Sequence, residues 1–118
     1  MLYMLMIIDE RSWTMPKDER DALMDQYAEL LRDIVKSGNF RGSGYLHPSS
    51  TATTVREVNG KRVTMDGPFA ETKEQLGGYI LVECKDLDEA ISIAGRIPSI
   101  RTGGAVEVRP VAPTPVSV

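Results

Sequence analysis

The chain has few of the residues on which many active sites depend. Among its 118 residues there is one cysteine, one histidine and one tryptophan. The single Cys84 excludes an internal disulfide and any zinc site built from several cysteines. The single His47 excludes any site that needs two imidazoles. The chain has 14 basic and 17 acidic residues, so neither sign of charge dominates. We therefore do not expect the concentrated basic surface of a general nucleic-acid-binding protein.

Long hydrophobic runs are also missing. The longest, residues 1–8, falls far short of the ~20 residues that span a bilayer. It has no basic residues before it and no small-residue cleavage site after it, so we do not expect a signal peptide. Hydrophobic residues make up 42% of the chain, which excludes disorder. We expect one cytoplasmic domain over residues 1–111, with no membrane contact, followed by a loose, proline-containing tail at 112–118.

Hydrophobic periodicity predicts a central strand and two helices. Residues 2–8 are apolar at both odd and even positions, which is typical of a strand covered on both faces. Residues 16–37 and 86–97 carry helical spacing, and Asp86 is the natural N-cap of the second helix. The apolar stripe of the first helix contains Leu23, Tyr27, Leu30, Leu31 and Ile34.

Turn residues divide the rest of the chain into short strands. We expect these strands at 40–47, 52–58, 61–65, 79–84 and 105–109. The glycines of the first are typical of bulges or close backbone approach. Asn59-Gly60 predicts a tight hairpin between the second and third. A capping box at 72–75 predicts one helical turn, which Gly77-Gly78 would end.

Without the hairpin, the order of elements is β-α-β-β-α-β. The sequence therefore predicts an α+β chain of the ferredoxin-like type with an inserted β-hairpin. Two helices cover only one face of such a sheet, yet strand 2–8 is apolar on both. Because a bare apolar sheet face is unusual on a monomer, we expect a second copy of the chain to cover it and form a homodimer.

Several stretches together resemble a known family. They are TATTVRE at 51–57, DGPFAETKEQLGGY at 66–79, DLDEA at 86–90, GRIPSIR at 95–101 and VEVRPV at 106–111. With the opening LYMLMII they resemble the YCII-related family, in its DGPF branch, over residues 2–111. The resemblance implies a ferredoxin-like fold of the dimeric α/β-barrel type, in which two sheets pack face to face. It also implies a pocket with a His–Asp pair and a link to extracytoplasmic-function sigma factors, but no established activity.

Asp66 and His47 are the candidate catalytic residues. Asp66 begins the DGPF motif, where burial in a pocket would raise its pKa and suit it to acid–base work. Its alternative role is to cap a turn in which Gly67 takes a positive φ. His47 could exchange protons with Asp66, or be a half-buried histidine bonded to backbone. The hairpin register places residue 47 opposite about 72, so contact with Asp66 requires a bulge or the second subunit.

The candidate binding residues are three aromatics and one arginine. Trp13, Tyr45 and Tyr79 could line an apolar pocket with polar tips, although core or interface packing is the commoner role of such residues. Arg56 could hold an anionic group of a ligand by a bidentate pair, or be an exposed strand arginine opposite an acidic neighbour. Cys84, on an apolar strand, reads as an inert core residue.

Three functions are compatible with these residues. The first is a small-molecule enzyme that uses no metal or organic cofactor and works through Asp66 and His47. The second is a non-catalytic ligand-binding or regulatory module, associated with a sigma factor. The third is a dimeric scaffold. A buried Asp66 near His47 in one cavity would favour the enzyme, whereas a solvent-facing Asp66 would favour the other two.

Overall fold

A computed structural model describes residues 1–116 of the chain. Its strands are β1 (Leu2–Ile8), β2 (Phe40–Tyr45), β3 (Thr53–Val58), β4 (Lys61–Asp66), β5 (Leu76–Glu83) and β6 (Ala105–Pro110), and its α-helices are α1 (Lys17–Lys36) and α2 (Leu87–Ala94). The strands form an antiparallel sheet in the order β2-β5-β1-β6 and a separate β3-β4 hairpin. The predicted α+β, ferredoxin-like plan with an inserted hairpin is confirmed. Of the predicted tail, Ser117 and Val118 lie outside the described residues.

The core lies between one face of the sheet and the two helices. Tyr3, Leu5 and Ile7 of β1 are at most 8% exposed and form one cluster with Ile80 and Val82 of β5 and with apolar residues of α1 and α2. This follows from the strand period of two, which sends every second side chain to the same face. Because β1 pairs with β5 on one side and β6 on the other, it is the central strand, as its sequence predicts.

The other face of the sheet, which we call the open face, is also apolar. The register sets Met4 beside Leu81 and Met6 beside Tyr79, and all four side chains are only half-buried. Neither α-helix lies over them, because both pack on the core face. Leu5, in contrast, is fully buried among core residues and points away from the open face.

The β3-β4 hairpin projects from the sheet as a two-stranded unit. Its paired residues run from Thr53 with Asp66 to Val58 with Lys61, which is the predicted register. Asn59 and Gly60 both have positive φ, 53° and 77°, as the primed turn of a tight hairpin requires. All of β4 is exposed, and so is most of β3.

The segment before β5 departs from the prediction. No helical turn forms at 72–75; instead the Gln75 side-chain amide donates to the carbonyls of Ala70 and Thr72 and holds an irregular loop. The Gly77-Gly78 pair belongs to β5, which begins at Leu76, and does not end a turn. Glycine is required at 77, because a Cβ there would come within 1.9 Å of the Asp9 carbonyl oxygen.

None of the helices within residues 1–116 combines the length and the apolar character needed to cross a bilayer.

Candidate functional site

A cavity of about 230 Å³ lies between α1 and the core face of the sheet. Its walls are mostly apolar and come from Ile7 of β1, from Ile80 of β5 and from one face of α1. The α1 wall consists of Leu23, Met24, Tyr27, Ala28 and Leu31. For comparison, an apolar cavity of about 150 Å³ is enough to bind benzene. The space is therefore sufficient for a molecule with one substituted ring or a short branched chain.

The inner polar end of the cavity is built from Asp9, Tyr27 and Ser99. Tyr27 Oη and Ser99 Oγ lie 2.7 Å apart, and Ser99 is only 3% exposed. The Asp9 side chain is 7% exposed. Hydrogen bonds from Arg11 hold the pKa of the Asp9 carboxyl below its usual range, and the nearby Ser99 hydroxyl contributes to this lowering. Burial, by contrast, raises the pKa of the Tyr27 phenol. At neutral pH the cavity therefore contains an ionised carboxylate and a neutral phenol.

Arg11 connects this carboxylate to the loop that carries Ser99. Its guanidinium donates to both oxygens of Asp9, at 2.7 and 2.9 Å, and also to the carbonyl and hydroxyl of Thr102. Gly104 makes the close approach feasible, since a Cβ there would lie 3.0 Å from an Asp9 oxygen. The ion pair thus offsets the charge of Asp9 and fixes the short 98–102 turn beside the cavity.

At the other polar end, aromatic side chains stack on one another. Trp13 lies against Tyr45 and His47, with ring centroids 5.0 and 5.1 Å away, and the guanidinium of Arg20 lies over the same indole. The indole N–H donates to the Leu46 carbonyl, which fixes the stack to the chain after β2. Tyr45 Oη contacts Ser12 Oγ at 2.5 Å, and both residues line the cavity. His47, in the loop beyond β2, is exposed and does not line the cavity; only Trp13 links its ring to the lining residue Tyr45.

The predicted residues fall into two groups. Trp13, Tyr45 and His47 come together in this stack. Asp66 lies apart from it as the last residue of β4, where it is exposed and its carboxylate has no hydrogen-bond partner among residues 1–116. Gly67 has the predicted positive φ, 95°, and its N–H donates to Ala52. The Asp66-Gly67 turn thus closes the base of the hairpin.

Tyr79 borders the cavity, but its ring lies on the open face, and Arg56 lies on the hairpin. Alternation along β5 directs the Tyr79 ring to the open face, where it covers Gly44 so closely that a Cβ there would come within 2.5 Å of a ring carbon. Arg56 lies across the hairpin from Val63 rather than from an acidic residue, and its guanidinium is 5.4 Å from the centre of the Phe69 ring.

Sequence reasoning missed the inner polar end of the cavity. Two signals were present: Asp9 is the first polar residue after an apolar strand, and Tyr27 is the only member of the α1 stripe with a hydroxyl. Ser99 gave no signal, because only the fold brings the 98–102 turn beside β1. Within residues 1–116 no three His, Cys, Asp or Glu side chains form a group that could hold a metal ion.

The chain is similar to a curated protein, to a solved structure and to one family model. An uncharacterized protein of Rhizobium meliloti (strain 1021) is 38% identical over 117 residues, which cover 95% of this chain and 93% of that protein. Among solved structures, 5-chloro-2-hydroxyhydroquinone dehydrochlorinase from Burkholderia phenoliruptrix AC1100, in complex with 2,5-dihydroxybenzoquinone, is 18% identical with a TM-score of 0.49, covering 95% of this chain and 94% of that one. The DGPF branch stays a prediction. The model of the YCII-related domain matches residues 1–115, and the chain therefore belongs to the YCII-related family.

Proposed function

We propose that the chain is a small-molecule enzyme whose substrate occupies the cavity between α1 and the sheet. The observation that carries this proposal is the cavity itself, which combines apolar walls with a few converging polar groups in the way small-molecule sites do. The volume of about 230 Å³ suits a compact substrate. The polar groups at the two ends of the cavity could orient such a substrate.

We propose that His47 and Asp66 carry out proton transfer at this site, without a metal or organic cofactor. The role of His47 is supported by its stack on Trp13, because the same indole also stacks on Tyr45, which lines the cavity. An exposed Asp66 on the hairpin could reach a site only after assembly, so the proposal requires a homodimer in which the two subunits join their open faces. The apolar, half-buried Met4, Met6 and Leu81 support this assembly.

The alternative is a non-catalytic ligand-binding or regulatory module, linked to an extracytoplasmic-function sigma factor. The exposure of Asp66 and its lack of a partner among the described residues favour this alternative. In this alternative the same cavity binds a ligand, but the protein catalyses no reaction of that ligand. We place either form in the cytoplasm, since the one cysteine is a buried free thiol that needs no oxidising compartment.

Cavity binding is tested with a set of compact neutral compounds screened by ligand-observed NMR. Ala28 lines the cavity on α1, so Ala28→Leu should fill part of it and abolish binding of the compounds found. Ala22, on the exposed side of the same helix, provides the matched control, and Ala22→Leu should leave binding unchanged. Equal binding by both variants would show that the ligands lie elsewhere.

Catalysis is tested separately with Asp66→Asn and His47→Gln. Each change should keep the fold and the binding of the compounds but abolish their turnover, because each removes one proton-transferring group. Turnover can be followed by NMR of the compound over hours, with wild-type protein alongside. Binding without turnover by the wild type, unchanged in both variants, would establish the non-catalytic alternative for these compounds.

A further inference from the structure

The β3-β4 hairpin has little to pack against in the described part of the chain. Its two strands pair only with each other, and within residues 1–116 neither makes more than marginal contact with another helix or strand. A two-stranded hairpin alone is marginally stable at best in water, and it needs a third strand or a packed layer for independent stability. The hairpin nevertheless has a regular register and a tight turn. Its stability should therefore depend on something that packs against it.

One face of the hairpin, which we call the arm face, is largely apolar. The register and the alternation of side chains place Val58, Val63 and Met65 on it, and these residues are between 37% and 52% exposed. Arg56 lies on the same face, and its guanidinium contacts the ring of Phe69, which is 76% exposed and extends the apolar surface. The opposite face contains one apolar residue, Val55. Exposed apolar side chains gathered on one face mark an interaction surface.

The chain also exposes more surface than a folded monomer of its size. Its accessible surface is 8314 Å², whereas a monomeric protein of 13.0 kDa exposes about 6,300 Å². Its radius of gyration is 16.1 Å, against about 13.5 Å for a compact domain of 118 residues. Residues 112–116 account for part of the excess of about 2,000 Å², but a standard interface needs only about 800 Å² from each partner. The excess is therefore large enough for each chain to bury an obligate interface.

We propose that the hairpin is a dimerisation arm, and that in the homodimer the arm face of each subunit packs against the second copy of the chain. In a two-fold pair every unpartnered surface is present twice, so two copies can cover both open faces and both arm faces without another protein. The inference rests on the homodimer of the proposed function. It adds the segment that crosses between the subunits, which is also the segment that carries Asp66.

Val63→Glu and Thr64→Glu test the arm face. The two residues are exposed, β-branched neighbours in β4 that lie on opposite faces of the hairpin. Val63→Glu should raise the dissociation constant of the dimer at least about 100-fold in sedimentation, because each dimer would then hold two unpaired carboxylates in a desolvated contact. Thr64→Glu should change this constant by less than about threefold. Equal weakening by both changes would mean that they only loosen the hairpin, and would overturn the proposal.

Photo-crosslinking shows directly what the arm face contacts. The photoreactive amino acid p-benzoylphenylalanine is placed at position 63 or, as the control, at position 64, and the pure protein is irradiated at micromolar concentration. An aromatic residue suits an exposed strand position, so both proteins should fold. On a denaturing gel we expect a covalent dimer from position 63 and much less from position 64. If position 63 gives no covalent dimer in a protein that sediments as a dimer, the arm face does not contact the second copy.

The outcomes separate the arm from the function on which it rests. If Met6→Glu splits the dimer but Val63→Glu leaves it intact, the open faces join and the arm is wrong. If the wild type is a monomer at micromolar concentration, the homodimer fails and the arm fails with it. Ligand binding in the cavity, tested with Ala28→Leu, does not depend on either result.

Discussion

Among the glycines, Gly77 is the position at which adding one methyl group should lower the stability of the fold most. It lies at the start of β5, beside the end of β1, and borders the cavity. An alanine Cβ there would be 1.9 Å from the Asp9 carbonyl oxygen and 2.9 Å from its carbonyl carbon. Favourable contacts between carbon atoms lie near 3.5–4.0 Å, so the backbone of β1 or β5 would have to move by more than about 1 Å.

The size of the effect follows from what has to move. Overpacking that side chains can relieve costs about 1–3 kcal/mol. Here the obstacle is the backbone carbonyl of Asp9, so the clash cannot be relieved by rotating a side chain. We therefore expect Gly77→Ala to lower the free energy of unfolding by at least about 3 kcal/mol, and the melting temperature by about 10 °C or more.

Gly42→Ala is the matched control. Gly42 lies in the neighbouring strand β2, and a Cβ there would make only an ordinary contact, 3.7 Å from a Leu81 methyl. We expect its stability to stay within about 1 kcal/mol of the wild type, since alanine also lowers the entropy of the unfolded chain. Urea unfolding followed by circular dichroism measures both variants. If the two have the same stability, the clash is relieved at no cost and the reasoning about Gly77 is wrong.

Four further predictions concern assembly, backbone strain, charge and the thiol. We expect the wild type to sediment as a dimer with at least ~1,200 Å² of interface, and Met6→Glu on the open face to sediment as a monomer. A wild-type monomer at micromolar concentration would refute the dimer. Gly67→Val should cost roughly 1–3 kcal/mol in urea unfolding, because φ is 95° there. The lowered pKa of Asp9 means that its ionised form stabilises the folded state above pH 3.8, and that this stabilisation is lost as the pH falls through the folded-state pKa. Asp9→Asn should therefore lower the free energy of unfolding at pH 7, and lower it progressively less below pH 3.8. Cys84 is 3% exposed and burial raises its pKa, so a thiol reagent should react with it only as fast as the protein opens; rapid reaction of the native protein would contradict this.

The sequence by itself determined the elements whose cause is local. The apolar run at 2–8 predicts the central strand with its observed bounds, because alternation alone decides which side chains share a face. Asn59-Gly60 determines the hairpin register, since few residues other than these adopt the required positive φ. The Asp86 N-cap is likewise present, with its carboxylate accepting from the Glu89 N–H 2.9 Å away. The helical turn predicted at 72–75 does not form, because a capping pattern produces a helix only where packing supports one.

The tertiary structure alone decided what surrounds the site. His47, Trp13 and Tyr45 are candidates from residue type, but only the path of the chain after β2 brings their rings into one stack. Asp66 and Asp9 show the limit most clearly. Asp66 is the last residue of β4 and Asp9 is the first residue after β1. Nothing local indicates that Asp66 is exposed on a hairpin while the Asp9 side chain is buried at the cavity. The hydrogen-bond partner of Asp9 is Arg11, only two residues away, but Arg11 also donates to Thr102, 91 positions further along. Only the folded chain brings the 98–102 turn to this ion pair.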